Sequence, residues 1–324
     1  MGWGKLKMGF YGMLKANARR AMAGGWGKAV AVLVIGLVPV ALIRLLEQGL
    51  RMVFDLAFYD ASGQPSLALA STVVTLLMGA LVWAILAPLR QGISRWFYLR
   101  TAAQKEPVTA VFHYFETPGA YGKALGLQLS IAVRMLLWGI LLALPLGAAR
   151  WFWEFYLRRA GVALPPFAGL LFSLLVWGWT VLAAILLIFL ALRYQLAPYL
   201  LAEHPDWKIR QTVRQGVRFS RGQRGGLFTF GLSFIGWFLP LLAAIGGMVA
   251  LQFVHPLYRG DVLAFVAVMA VIQLLISLYA RPYWCISFAM YGRYLIQRGE
   301  REQALQAGED LTREYEAGSE PSEG

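Results

Sequence analysis

The 324-residue sequence contains one cysteine, Cys285, and three histidines, His113, His204 and His255, which lie far apart along the chain. A single cysteine excludes an intramolecular disulfide and a zinc site built from several thiolates. The HExxH, Gly-x-Ser-x-Gly and CxxC patterns of metalloproteases, hydrolases and redox proteins are also missing. These absences predict a protein that is not an enzyme and that binds neither a metal nor a cofactor.

Charged residues make up only 15% of the chain, whereas 59% of the residues are hydrophobic and the mean hydropathy is +0.57. A soluble domain has roughly 25% charged residues and about 45–50% apolar ones. The composition therefore predicts an integral membrane protein, with the bilayer as its main solvent.

The apolar residues are gathered in long runs. A helix needs roughly 20 mostly apolar residues to cross about 30 Å of hydrocarbon. No Asp or Glu lies within these runs, which argues against a proton-coupled pump or a membrane enzyme. We predict an all-α bundle of about six transmembrane helices within one domain, residues 1–298, with spans at about 29–46, 67–89, 124–149, 167–192, 227–251 and 262–280.

The basic residues lie almost entirely on one side of these spans. Six Lys or Arg precede the first span, five lie between the second and third, seven between the fourth and fifth, and five after the last, which gives 23 of 30. The positive-inside rule then predicts a cytoplasmic membrane protein with both termini in the cytoplasm. The net charge of +13 is expected to meet anionic lipid headgroups and an unknown protein partner, not nucleic acid, because no nucleic-acid motif accompanies it.

Three similar glycine-containing segments precede the first, third and fifth spans, around Gly27, Gly122 and Gly225. They predict three helical hairpins in series, with glycine turning the chain at the interface. We expect seven residues near the span ends to anchor the helices at headgroup depth: Trp26, Lys28, Tyr121, Lys123, Trp237, Tyr283 and Trp284.

The two ends of the chain differ in character. Apolar residues recur at helical spacing in residues 1–22, which predicts an amphipathic leader lying on the cytoplasmic surface of the membrane; a solvated basic leader is the alternative. Residues 299–324 are acidic, and we expect a helical stretch to about Tyr315 followed by disorder.

Arg134 is the one ionisable residue deep within a predicted span. A charge at that depth usually faces the bundle interior and marks a functional site, for which Gln128 and Gln273 are candidate partners. Alternatively, Arg134 lies near the inner headgroups and anchors the helix.

A second charged pattern follows the first span, where Arg44, Glu47, Arg51 and Asp55 recur along one helical face. This pattern predicts a salt-bridged stalk or a docking surface.

Several segments resemble those of a known family. They are Phe230-Gly231-Leu232-Ser233-Phe234-Ile235-Gly236-Trp237, Arg281-Pro282-Tyr283-Trp284, Phe288-Ala289-Met290-Tyr291, Gly25-Trp26-Gly27-Lys28-Ala29, Pro88-Leu89-Arg90-Gln91-Gly92 and Val111-Phe112-His113-Tyr114-Phe115. Together they resemble, over most of residues 12–295, an uncharacterised bacterial integral membrane family, number nine hundred and seventy-five in the domain-of-unknown-function series. That family is akin to the membrane domain attached to some glycerophosphodiester phosphodiesterases. The resemblance implies a multi-helix membrane protein and no catalytic residues.

The sequence supports two hypotheses for function. The first is a non-enzymatic scaffold, regulator or envelope-associated component that acts through its basic cytoplasmic faces, above all residues 193–224, on lipid or on a partner protein. The second is a transporter or lipid-handling permease that uses an intramembrane site around Arg134.

Overall fold

The computed structural model describes residues 9–53, 65–158, 167–239 and 259–318, and these are helical, with no strand among them. The helices are α1 (Phe10–Met22), α2 (Trp26–Val53), α3 (Pro65–Thr101), α4 (His113–Glu116), α5 (Ala120–Trp151), α6 (Ala168–Leu192), α7 (Ala197–Glu203), α8 (Ile209–Phe219), α9 (Arg224–Leu232), α10 (Arg259–Leu275) and α11 (Arg281–Gly318). Short 3₁₀ helices cover Val108–Phe112 and Ile235–Phe238, and π-helical turns cover Phe152–Arg158 and Ile276–Ala280.

Within the described residues, five helical segments are long and apolar enough to cross a membrane. They are Trp26–Met52, Ser71–Thr101, Ala120–Phe155, Ala168–Glu203 and Ala267–Gly308. The predicted spans 29–46, 67–89, 124–149 and 167–192 coincide with α2, α3, α5 and α6, and the predicted span 262–280 falls in α10 and the π-helical turn after it. The prediction of an all-α, multi-pass membrane protein is confirmed.

The predicted span 227–251 differs from a single straight helix. Helix α9 ends at Leu232, and a turn and a 3₁₀ helix follow, while residues 240–251 lie outside the described part of the chain. The Ser233 hydroxyl donates a 2.5 Å hydrogen bond to the Phe230 carbonyl oxygen. Such a side-chain bond competes with helix continuation, and the turn lets Phe234 pack into the protein.

The packed core lies at one end of the bundle, where α2 and α5 begin, α3 and α6 end, and the basic segments lie; we call it the basic end. Its largest fully buried side chains include Trp96, Tyr98, Phe230 and Tyr291. Away from it, the apolar windows of α5 and α6 contain no buried residue. Because lipid tails are as apolar as leucine, hydrophobic burial drives packing only where the chain meets water.

Helix α1 packs on this core. Leu14, Ala18 and Met22 recur every four residues, form its inner face and are buried in the protein. Lys15 Nζ donates to the Ser233 carbonyl oxygen at 2.9 Å and lies 4.2 Å from the centre of the Phe234 ring, and its burial lowers its pKa. The leader helix is therefore held by protein contacts over Phe10–Met22, while residues 1–8 lie outside the described chain.

A close approach joins the turn between α1 and α2 to the end of α3. Arg100 Nε donates to the Ala21 carbonyl oxygen at 3.1 Å, and its guanidinium lies so near Gly25 that a Cβ there would be 1.8 Å from Nη2. Gly24 has a φ of +69°, which an L side chain rarely adopts. The two glycines let the chain reverse tightly against Arg100.

The predicted charged stripe forms a buried ion cluster at the other end of α2. Glu47 lies between two arginines, at 2.6 Å from Arg44 Nη1 and 3.3 Å from Arg51 Nη2. Arg51 also donates to the hydroxyls of Ser71 and Thr75 on α3. Both Glu47 and Arg51 are buried, so the cluster joins α2 to α3. Asp55, the last residue of the stripe, lies outside the described residues.

Candidate functional site: a basic groove

Helix α8 presents its positive charge along one face. Arg210, Arg214 and Arg218 recur every four residues, which aligns them on the exposed side of the helix. On the other side Val213 and Phe219 are buried, and Phe219 contacts α11 so closely that a Cβ at Gly299 would lie 2.3 Å from its ring. The packing of these apolar side chains thus fixes α8 in one rotation, with its arginines outward.

These arginines line a groove at the basic end, of about 1280 Å³. Arg193 directly after α6 and Arg224 at the start of α9 also line it. The other described lining residues are Lys208, Gln211, Gln215, Val217 and Arg221, so among the described residues seven cations and no carboxylate line this groove. We call it the basic groove.

The electrostatics of the basic groove favour an anion. Seven like charges repel one another, and each pair costs about 1 kcal/mol at 4 Å even in bulk water. The Nε atoms of Arg193 and Arg224 are buried and have no hydrogen-bond partner among the described residues. A bound polyanion would remove the repulsion and accept these hydrogen bonds.

Two carboxylates of α11 are already paired. Glu300 Oε1 lies 2.8 Å from His204 Nε2, and Glu302 Oε1 lies 2.7 Å from Arg298 Nε. Helix α11 instead meets α8 through amides: Gln303 donates to Gln215 at 3.0 Å, and Arg218 donates to Gln306 at 3.1 Å. The described part of α11 therefore borders the groove without neutralising it.

The residues of the predicted intramembrane site are not gathered in one cavity. Arg134 Nη1 donates to the hydroxyl and the carbonyl oxygen of Ser130, one turn back on α5, so its side chain points towards the basic end. Gln128 lines a cavity at the centre of the bundle, and Gln273 lines a different one beside Trp237 and Trp284.

The predicted anchors lie at the basic end, and several contact protein as well. The rings of Trp26 and Trp237 lie 4.8 and 5.1 Å from that of Tyr279. Tyr121 donates a hydrogen bond to the Ala84 carbonyl oxygen at 3.2 Å, and Lys123 donates one to the Pro205 carbonyl oxygen at 2.6 Å. The ring of Trp284 stacks on that of Phe288, with the ring centres 4.8 Å apart. Tyr283 is buried, whereas Lys28 is exposed.

One protein family matches almost the whole chain. The sequence profile described as "Protein of unknown function (DUF975)" matches residues 12–299. The chain belongs to this family. No curated protein and no solved structure matches it. The match confirms the uncharacterised family that the segments resemble, and it assigns no activity.

The segments that carry the DUF975 resemblance converge on the packed core. Phe230 contacts the rings of Phe234, Phe288 and Tyr291 at 5.2–5.4 Å. Gln91 is buried and donates to the Pro198 carbonyl oxygen at 2.7 Å, which joins α3 to α7. Packing thus accounts structurally for the buried residues of these segments, and the basic groove lies outside the segments.

Proposed function

We propose that this DUF975 protein is a non-enzymatic scaffold or regulator of the bacterial cytoplasmic membrane that holds an acidic segment of a cytoplasmic protein in its basic groove. The observation that supports this most strongly is a groove whose described lining has seven cations and no carboxylate. Arginine binds carboxylates through two parallel hydrogen bonds, so acidic side chains suit this lining. In this proposal the basic end faces the cytoplasm, as the positive-inside rule expects for its loops.

The spacing of the arginines favours an extended acidic chain. Positions four residues apart on a helix are about 6 Å apart along its axis. Alternate residues of an extended chain lie about 6.6 Å apart, so their carboxylates match Arg210, Arg214 and Arg218 in turn. Helix α8 has 11 residues and is about 16 Å long, so an extended chain can follow it past all three arginines.

A peptide-binding measurement tests the proposal. The full chain is placed in nanodiscs of phosphatidylcholine, and the binding of a fluorescent peptide of alternating Glu and Ser is followed by anisotropy. We expect the triple variant Arg210→Gln, Arg214→Gln, Arg218→Gln to raise the Kd at least about tenfold, because three charge-assisted hydrogen bonds are lost. Binding by the unaltered chain should weaken as salt is added.

The matched control removes three exposed cations away from the groove: Arg19→Gln, Arg20→Gln and Lys105→Gln. It has the same net charge as the groove variant and should keep the original Kd within about twofold. Equal weakening in the two triple variants would mean that net charge alone attracts the peptide. Loss of peptide binding in nanodiscs that contain phosphatidylglycerol would instead mean that lipid fills the groove, and either result overturns the proposal.

A further inference from the structure

A second cavity of about 710 Å³ lies at the centre of the bundle, where α2, α3, α5, α7 and the start of α11 meet. Its walls are closely packed on one side, since a Cβ at Gly36 of α2 would lie 2.7 Å from Ile93 of α3. We call it the central cavity. It shares no lining residue with the basic groove.

The lining of the central cavity changes from polar to apolar with depth. Arg90 and Gln128 lie towards the basic ends of α3 and α5, and Gln195 lies in the turn between α6 and α7. Val40 and Met135 are further along α2 and α5; Met135 is seven residues beyond Gln128, or about 10 Å further along the helix from the basic end. The polar part of the lining is therefore nearer the basic end than the apolar part.

The described charged residues at the polar end are positive. Arg90 of α3 and Arg281 of α11 line the cavity, and no carboxylate is among the lining residues that the structure describes. Neither guanidinium has an ion-pair partner in the described chain. Gln128 and Gln195 add amide donors at the same depth. Arginine pairs well with phosphate, because its guanidinium offers two parallel donors.

We propose that the central cavity binds one anionic glycerophospholipid from the adjoining leaflet. Its phosphate lies between Arg90 and Arg281, and one acyl chain follows the apolar wall formed by Leu37, Leu86 and Met135. A volume of about 710 Å³ is within the range of roughly 300–1,000 Å³ that is usual for specific ligand sites. A soluble phosphate compound would leave the apolar wall uncovered, whereas a lipid covers both parts.

Native mass spectrometry of the full chain in a non-ionic detergent tests this inference. The protein is titrated with phosphatidylglycerol, with phosphatidylcholine and with inorganic phosphate. We expect one phosphatidylglycerol per chain to be retained at least about tenfold more tightly than phosphatidylcholine. The double variant Arg90→Gln, Arg281→Gln should lose that preference, while the matched control Arg150→Gln, Arg301→Gln should keep it.

A second variant separates the acyl part of the site from the phosphate part. Leu37→Trp fills the apolar wall and keeps both arginines, so it should lower phosphatidylglycerol retention at least about fivefold. Equal retention of the two lipids, or an unchanged preference in the Arg90 and Arg281 double variant, would overturn the inference. Tight binding of inorganic phosphate that survives Leu37→Trp would identify a free-anion site and would overturn the inference as well.

The groove variant Arg210→Gln, Arg214→Gln, Arg218→Gln should retain the lipid. The proposal for the basic groove and the inference for the central cavity can therefore fail independently.

Discussion

The Gly92→Ala variant is expected to lose about 3 kcal/mol of unfolding free energy, the upper end of the cost of overpacking a core. A Cβ at this position would lie 1.9 Å from the Val111 carbonyl oxygen and 2.8 Å from its carbonyl carbon. These are backbone atoms of a 3₁₀ helix that packs on α3, so they cannot rotate away as a side chain would. The midpoint of denaturant unfolding in detergent micelles measures the loss.

Gly79 provides the matched control, because it lies in the same helix and a Cβ at this position would have no neighbouring atom within 4 Å. Gly79→Ala should stabilise the protein slightly, by about 0.5–1 kcal/mol, since alanine favours helix over glycine. If Gly92→Ala and Gly79→Ala unfold at the same midpoint, α3 and the Val108–Phe112 helix are not in contact as described.

The second large effect is expected at the buried ion cluster of α2. Glu47→Gln removes a carboxylate that lies 3.3 Å from the guanidinium of Arg51, a residue that is 5% exposed. Removing one partner of a buried ion pair lowers the unfolding free energy by about 3–5 kcal/mol, because the remaining charge stays away from water. Ser71 and Thr75 continue to accept hydrogen bonds from Arg51, so we expect the lower end of that range. The same unfolding midpoint reports the change.

An exposed pair serves as the control for Glu47. Arg298 and Glu302 are 2.7 Å apart but about half exposed, so Glu302→Gln should cost less than about 1 kcal/mol. The double variant Glu47→Gln, Arg51→Met also removes the buried arginine charge and should recover much of the loss. A cost for Glu47→Gln no larger than that for Glu302→Gln would contradict a buried, coupled cluster.

The membrane spans were predictable because their signal is local. The length of an apolar run is enough to place α2, α3, α5 and α6. The charged stripe was predictable for the same reason, since Arg44, Glu47 and Arg51 are neighbours on one helix. The same logic predicts the outward arginine face of α8, because residues four apart share a helix face.

The packing between the helices was not predictable from these patterns. A span that is apolar all round gives no sign of which face meets protein and which meets lipid. The break after Leu232 depends on a hydroxyl contact and on Phe234 entering the core, neither of which an apolar run reveals. Arg90 and Arg281 are nearly 200 residues apart in the chain, so only the fold brings them to one cavity.

The central claim is that the basic groove opens to the cytoplasm, and single-cysteine labelling tests it most directly. In a Cys285→Ala background, Arg214→Cys reports the groove and Trp151→Cys, which replaces a 59% exposed residue, reports the opposite end of α5. We predict that a membrane-impermeant maleimide labels the Trp151→Cys chain in intact cells and the Arg214→Cys chain only after permeabilisation. Labelling of Arg214→Cys in intact cells would contradict the account.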